Sequence, residues 1–200
     1  IVADLNAPKN ASGYVYLNWK YYKKNINSLN KIHLDGGINL SSTNLDLSNK
    51  KKNKKKIILY AGTIGGHGGV SYLIKAFNQV INSNVELWLC GKGNYQDIKE
   101  SLDKDKRIKF LGFVSNKRLK ELCHNTDIFV NPRQSDGNDT NFPSKILFYL
   151  FFKKPIISTK SGLSPKYKKV LFLLSNEKTK TLRNKINQVL SLQPKQKKII

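Results

Sequence analysis

Apolar residues along the chain fall into short, near-continuous runs, separated by longer stretches in which they recur every three to four positions. The runs at 57–61, 85–90, 108–111, 127–130, 155–158 and 170–174 read as β-strands covered on both faces, since a strand with one wet face would alternate. Between them the spacing becomes that of amphipathic helices. Residues 70–81 place Leu73, Ile74, Phe77, Val80 and Ile81 on one stripe, and 95–102 form a shorter helix. Residues 116–123 carry Leu119, Leu122 and Cys123, while 179–192 align Leu182, Ile186, Val189 and Leu190. The stretch 143–152 is apolar nearly all round, which predicts a helix enclosed on several sides. Strands alternating with helices predict an α/β fold, a Rossmann-like parallel sheet with helices on both faces.

The run 48–56 is polar and like-charged, repels itself and predicts a linker. It divides an end piece, 1–47, from the sheet domain, 57–200. The end piece is rich in aromatics (Tyr14, Tyr16, Trp19, Tyr21, Tyr22) and holds a short strand at 31–34 closed by Asp35, Gly36 and Gly37. The longest apolar run, Ile146 to Phe152, is seven residues, far below the roughly 20 of a membrane-spanning helix. No basic stretch leading into an apolar core opens the chain, so a secretory signal is not expected in it. The chain begins with Ile1 and contains no methionine, and so reads as a segment of a longer protein.

With 36 basic and 13 acidic residues the formal charge is +23, a field that attracts nucleic acid, anionic lipid or phosphorylated small molecules. Only Arg107, Arg118, Arg133 and Arg183 are arginine. Lysine supplies diffuse charge, whereas reading of base edges relies on bidentate arginine, so a solvated lysine surface is favoured over nucleic-acid recognition. Cys90 and Cys123 are isolated and suit a reducing cytosol as small buried hydrophobes. His33, His67 and His124 lack metal-ligand spacing, so no metal is expected.

In an open parallel sheet, ligands bind beyond the carboxyl ends of the strands, where helix N-termini favour anions. Four loops occupy such positions. Gly62-Thr63-Ile64-Gly65-Gly66-His67-Gly68-Gly69 reads as a phosphate cradle, although it lacks the G-K-[ST] ending of a P-loop. Gly91-Lys92-Gly93-Asn94 puts a lysine between glycines, and Gly112-Phe113-Val114-Ser115 offers Ser115 as a helix N-cap. The fourth loop runs from Asn131 through Arg133 to Asn141, Phe142, Pro143, Ser144 and Lys145. Pro143 suits the first helical position, with the N–H groups of Ser144 and Lys145 facing the crevice. A cation is unfavourable at a helix N-terminus unless it meets an anion, which singles out Lys145.

The ordered series Tyr60-Ala61-Gly62-Thr63, Leu87-Trp88-Leu89-Cys90-Gly91-Lys92-Gly93, Ile108-Lys109-Phe110-Leu111-Gly112-Phe113-Val114, Asn131-Pro132-Arg133, Phe142-Pro143-Ser144-Lys145 and Lys154-Pro155-Ile156-Ile157-Ser158 resembles the nucleotide-sugar half of a GT-B glycosyltransferase. It is similar to family 4 and to its bacterial capsule and exopolysaccharide enzymes, and Asp35 to Asn39 resembles their interdomain hinge. The resemblance implies a cytoplasmic enzyme, with peripheral contact at an anionic membrane face. It would move a sugar from a nucleotide diphosphate to a saccharide or lipid-linked acceptor with retained anomeric configuration. No cofactor and no obligatory metal are implied. The diphosphate would lie against Gly62, Thr63, Gly65, Ser144 and Lys145, the base near Gly91, Lys92, Gly93 and Val114, and the sugar near Asn141 and Phe142. Members carry an arginine and a lysine where this chain has Thr63 and Gly68, and two glutamates where it has Thr140 and Phe148. His67, Arg133 and Lys145 would supply the replacement charge. A phenylalanine accepts no hydroxyl proton, so a non-catalytic nucleotide-sugar-binding module is the alternative. A basic domain adhering to nucleic acid or anionic lipid and a sugar-nucleotide epimerase are the others.

Overall fold

The computed structural model describes residues 11–24, 30–38, 54–65, 68–94, 96–135 and 142–193. Residues 48–53 of the predicted linker, His67, Thr140, Asn141 and the lysine-rich end lie outside the described residues. Strand β1 (Tyr14–Tyr16), helix α1 (Trp19–Lys24) and strand β2 (Lys31–His33) come first. Then follow β3 (Lys56–Ala61), α2 (Val70–Phe77), β4 (Val85–Cys90), α3 (Gln96–Lys104), β5 (Ile108–Phe110), α4 (Asn116–Asn125) and β6 (Ile128–Asn131). Helix α5 (Lys145–Phe151), β7 (Ile156–Ser158), a 3-10 helix (Pro165–Lys169), β8 (Phe172–Leu173) and α6 (Thr179–Ser191) complete the order.

Strands β3 to β8 form one parallel sheet in the order β5-β4-β3-β6-β7-β8. The chain winds outward in both directions from the neighbouring pair β3 and β6. The loops after these two strands therefore part, leaving a crevice at the carboxyl edge of the sheet. Alternation of side chains along each strand fills both faces. On β3, Ile58 and Tyr60 join the cluster built with α2, α3 and α6. Leu59 faces the other cluster, with Leu122 and Cys123 of α4 and Ile146 and Tyr149 of α5. Both cysteines are free and buried.

The boundaries differ from the expected ones for local reasons. Strand β3 starts at Lys56, the last residue of the predicted linker, because Asp127 takes the Ile57 N–H at 2.9 Å and pairs with the Lys56 ammonium at 3.3 Å. Helix α2 stops at Phe77 and leaves Ile81 exposed. The Arg107 guanidinium, anchored on Asp105 at 2.7 Å, claims the carbonyls of Val80 at 2.6 Å and Asn82 at 3.0 Å. Strand β8 keeps only two residues of the predicted 170–174 run. β1 and α1 were not predicted as elements. They hold together through an aromatic cluster in which the rings of Trp19 and His33 meet at 5.0 Å and Asn18 caps α1 by accepting the Lys20 N–H. One face of the two-stranded parallel sheet β1-β2 leaves Val15, Leu17, Ile32 and Leu34 exposed. Among the described residues no helix is long and apolar enough to cross a membrane.

Helix α5 is tied to the end of β3 by Tyr149, which is fully buried and stacked on Phe129 at 4.4 Å. Its hydroxyl accepts the Ala61 N–H at 2.9 Å and donates to the Ala61 carbonyl at 3.3 Å. Tyr149→Phe leaves that N–H buried without a partner. The expected loss is about 1–3 kcal/mol of unfolding free energy, read as a lower urea midpoint at an unchanged m-value.

Candidate active site

Backbone approach shapes the floor of the crevice. Gly62, directly after β3, donates its N–H to the Cys90 carbonyl at 2.9 Å, and Ile64 donates to Lys92 at 2.7 Å. The turns after β3 and β4 thus continue the ladder beyond the strands. A side chain at Gly91 would run into the Gly62 carbonyl, so the two turns meet only because residue 91 is glycine. The N–H groups of Gly62 and Ile64 are consequently engaged within the protein. Those of Thr63 and Gly65 have no acceptor among the described residues, and they are what the predicted phosphate cradle retains. Gly69, with φ 75°, starts α2 where a side chain would strike the Pro132 carbonyl.

Lys145 enters from the opposite side of the sheet. It is the first residue of α5, whose buried residues Ile146 and Tyr149 pack on the α4 face, yet its ammonium lies 4.3 Å from the ring of Tyr60, which belongs to the α2 face. The side chain crosses the carboxyl edge of the sheet over Gly62. A Cβ on Gly62 would stand 2.5 Å from the Lys145 Nζ, so the missing side chain is the passage. Lys145 has no hydrogen bond or ion pair among the described residues. Burial, reinforced by the nearby Arg133 charge, pulls its pKa down to about 8. Burial pushes the Cys90 thiol below it up to about 11.

The loop after β6 is braced from two directions. Asn131, fully buried, donates to the Ser158 hydroxyl at 3.0 Å, and the Thr159 hydroxyl donates to the Arg133 carbonyl at 2.5 Å. Glu177 accepts the Ser135 N–H at 3.0 Å. Arg133 is thereby held half-buried at the parting of β3 and β6, close enough for its charge to act on Lys145.

The start of α5 corrects one expectation. Pro143 precedes the helix by two residues, and the Ser144 N–H is spent on the Phe142 carbonyl at 2.9 Å. Ser144 is exposed, and its hydroxyl makes no capping bond. Fixed φ at Pro143 and burial of its ring fold the chain into a tight turn ahead of the helix. Phe142 packs on Tyr167 at 5.8 Å. Lys92 turns away from Lys145, lying 4.6 Å over the exposed ring of Phe113. Val114 is half-buried against the α4 face, and Ser115 caps α4 as predicted, accepting the Arg118 N–H. Phe148 is half-buried against Phe152. Within the hinge-like segment, Asp35 is buried and paired with Lys166, and Gly36 lies against Leu147 of α5. Tyr60 and Tyr149 were not singled out in the sequence. The available signal was that a tyrosine in a buried apolar run needs a partner for its hydroxyl.

A lysine whose folded-state pKa is about 8, against roughly 10.4 when unfolded, binds fewer protons in the folded state between those values. Stability therefore rises with pH across that window, and the full penalty is present below pH 8. Lys145→Met is expected to raise the thermal midpoint at pH 7 by about 2–8 °C, with the gain vanishing near pH 10.5 in a calorimetric series.

Known proteins share this fold. The chain is 32% identical over 83 residues, 39% of its length, to an uncharacterized glycosyltransferase of Methanocaldococcus jannaschii, of which it spans only 21%. The structure of Anabaena HepE in complex with UDP and glucose superposes with a TM-score of 0.76 at 16% identity, covering 94% of this chain and 56% of that one. The C-terminal domain of LpcC, a glycosyl transferase group 1 family protein of Francisella tularensis, gives a TM-score of 0.58 at 18% identity, covering 74% of this chain and 88% of that one. These folds are those of GT-B glycosyltransferases. The profile of the family described as "Glycosyl transferases group 1" matches residues 42–200, and with most of its length inside that match the chain belongs to the group 1 glycosyl transferases.

Proposed function

We propose that this chain is the donor half of a glycosyltransferase, and that Lys145 and Arg133 hold the diphosphate of a nucleotide sugar at the parting of β3 and β6. The observation that carries this reading is the half-buried Lys145 ammonium, which itself has no anionic partner among the described residues and feels the charge of Arg133 nearby. A withdrawn, unpaired charge is unfavourable until an anion meets it. In the transfer, the bond from the anomeric carbon to the diphosphate breaks as the acceptor oxygen bonds to that carbon. The two cations would stabilise the charge growing on the departing diphosphate. The N–H groups of Thr63 and Gly65, without an acceptor among the described residues, would add donors to the same anion.

The finer assignments belong to the same proposal. They are retention of configuration, a saccharide or lipid-linked acceptor of the cell envelope, a family 4 relationship, and no metal in the step. The donor unit is 57–200, and 1–47 is the edge of an acceptor domain. The exposed apolar face of Val15, Leu17, Ile32 and Leu34 suits packing against such a domain. A second reading is favoured by Phe148. By the resemblance this apolar ring takes the place of a carboxylate that would accept from a ribose hydroxyl, which fits a module that binds the nucleotide sugar without transferring it.

The HepE complex makes UDP the first nucleotide to try. In calorimetric titrations of the full-length protein, UDP and UDP-glucose, and GDP and GDP-mannose in parallel, are expected to reveal one nucleotide class that binds. Lys145→Ala should weaken that nucleotide by about 10-fold or more. Equal affinity in wild type and variant would remove Lys145 from the site. Binding without release of free UDP or GDP in the presence of acceptor would select the non-catalytic reading.

A further inference from the structure

Tyr60 makes two contacts that its position in a core strand does not require. It is fully buried, and the face of its ring lies 4.3 Å from the Lys145 ammonium. Its hydroxyl, at the far end of the same ring, donates to the Thr63 carbonyl at 2.7 Å. The hydroxyl also lies beneath the glycine turn, where a Cβ on Gly62 would come within 3.0 Å of it and one on Gly68 within 2.6 Å. One rigid side chain thus contacts both the cation and the turn.

We propose that Tyr60 is a positioning residue, whose ring holds the Lys145 ammonium over Gly62 while its hydroxyl sets the turn that carries Thr63 and Gly65, so that cation and turn present themselves to one anion. That the anion is a diphosphate rests on the function proposed above; the placement of Lys145 by Tyr60 does not. The ring face carries the negative end of the aromatic quadrupole and favours the charged form of the lysine. It opposes burial and the Arg133 charge, which together bring the Lys145 pKa down to about 8. Among the described residues, the titratable and charged groups acting on the ammonium are Tyr60 of β3, Cys90 of β4 and Arg133 after β6. Burial raises the Tyr60 phenol above its ordinary range, so the hydroxyl stays a donor throughout the lysine titration.

Three variants of the full-length protein separate the two contacts. Tyr60→Phe keeps the ring and removes the hydroxyl. Tyr60→Leu removes both. Pentafluorophenylalanine at position 60 keeps the bulk of a ring but reverses its quadrupole, which a purely packing role would not notice. The readout without ligand is the pH titration of the Lys145 Cε carbon by NMR, assigned with Lys145→Arg. The readout with ligand is calorimetric affinity for UDP and for inorganic pyrophosphate at pH 7.

The Lys145 midpoint is expected to stay in place in Tyr60→Phe and to fall by about half a unit or more in the leucine and pentafluorinated variants. Pyrophosphate affinity should drop about 3- to 30-fold in those two. Tyr60→Phe should weaken UDP by about 2- to 10-fold through the loosened turn. A wild-type midpoint in the pentafluorinated variant would overturn the assignment, whether or not Tyr60→Leu folds. A wild-type protein that binds neither UDP nor pyrophosphate would overturn the donor reading instead, and the titration would still decide the role of Tyr60.

Discussion

A lysine ammonium drawn out of water at the end of the central strand, with a second cation beside it, is the constraint to which the surrounding structure answers. Its path across the sheet edge is open only because residue 62 has no side chain. Its resting place is the face of Tyr60, and its helix is anchored by Tyr149 to the strand that Tyr60 occupies. The Tyr149 anchor and the Tyr60 ring stabilise the arrangement, whereas the withdrawn cation itself is unfavourable. A half-buried cation with no anionic partner among the described residues lowers stability. The topology decides where this occurs. Parting of the chain between β3 and β6 leaves that one edge position uncovered by a crossing loop, and Gly62, Arg133 and Lys145 all lie there.

The same region shows how a family scaffold tolerates change at the ends of its strands. Phe148 and Phe152 extend the apolar packing of α5 where the resemblance leads one to expect a carboxylate. The helix itself is unaffected, because its position depends on Ile146, on Tyr149 stacked against Phe129, and on the Ala61 hydrogen bonds. Fold and chemistry are therefore separable here. Membership of the group 1 glycosyl transferases rests on the match over residues 42–200, whereas the side chains at the strand ends vary without disturbing that match.

Much of the fold was legible because burial on both faces leaves a plain signature. Strands β3 and β4 were found to within a residue from continuous apolar runs, and α2, α4 and α6 from their stripes. The errors have physical origins. Ile81 looked like part of the α2 stripe, but the helix closes at Phe77 with the Val80 N–H on the Phe77 carbonyl, and the Arg107 guanidinium holds the Val80 and Asn82 carbonyls in the turn beyond. The β1-α1-β2 unit was read only as an aromatic segment with one strand, since strands of three residues show too little periodicity to register.

By itself the sequence determined which residue was in conflict with its place. Lys145 at the start of an apolar helix is unfavourable by elementary electrostatics, and that could be seen from order and charge alone. It also determined the alternation of strand and helix, hence the sheet and the edge where loops gather. Only the tertiary structure decided how the conflict is managed. Contact between Lys145 and Tyr60 joins residues 85 positions apart and from opposite faces of the sheet, through a gap left by a third residue. No local pattern encodes such a contact, because it depends on where helix α5 is seated, and that seat is set by packing against β3 and β6 rather than by propensity.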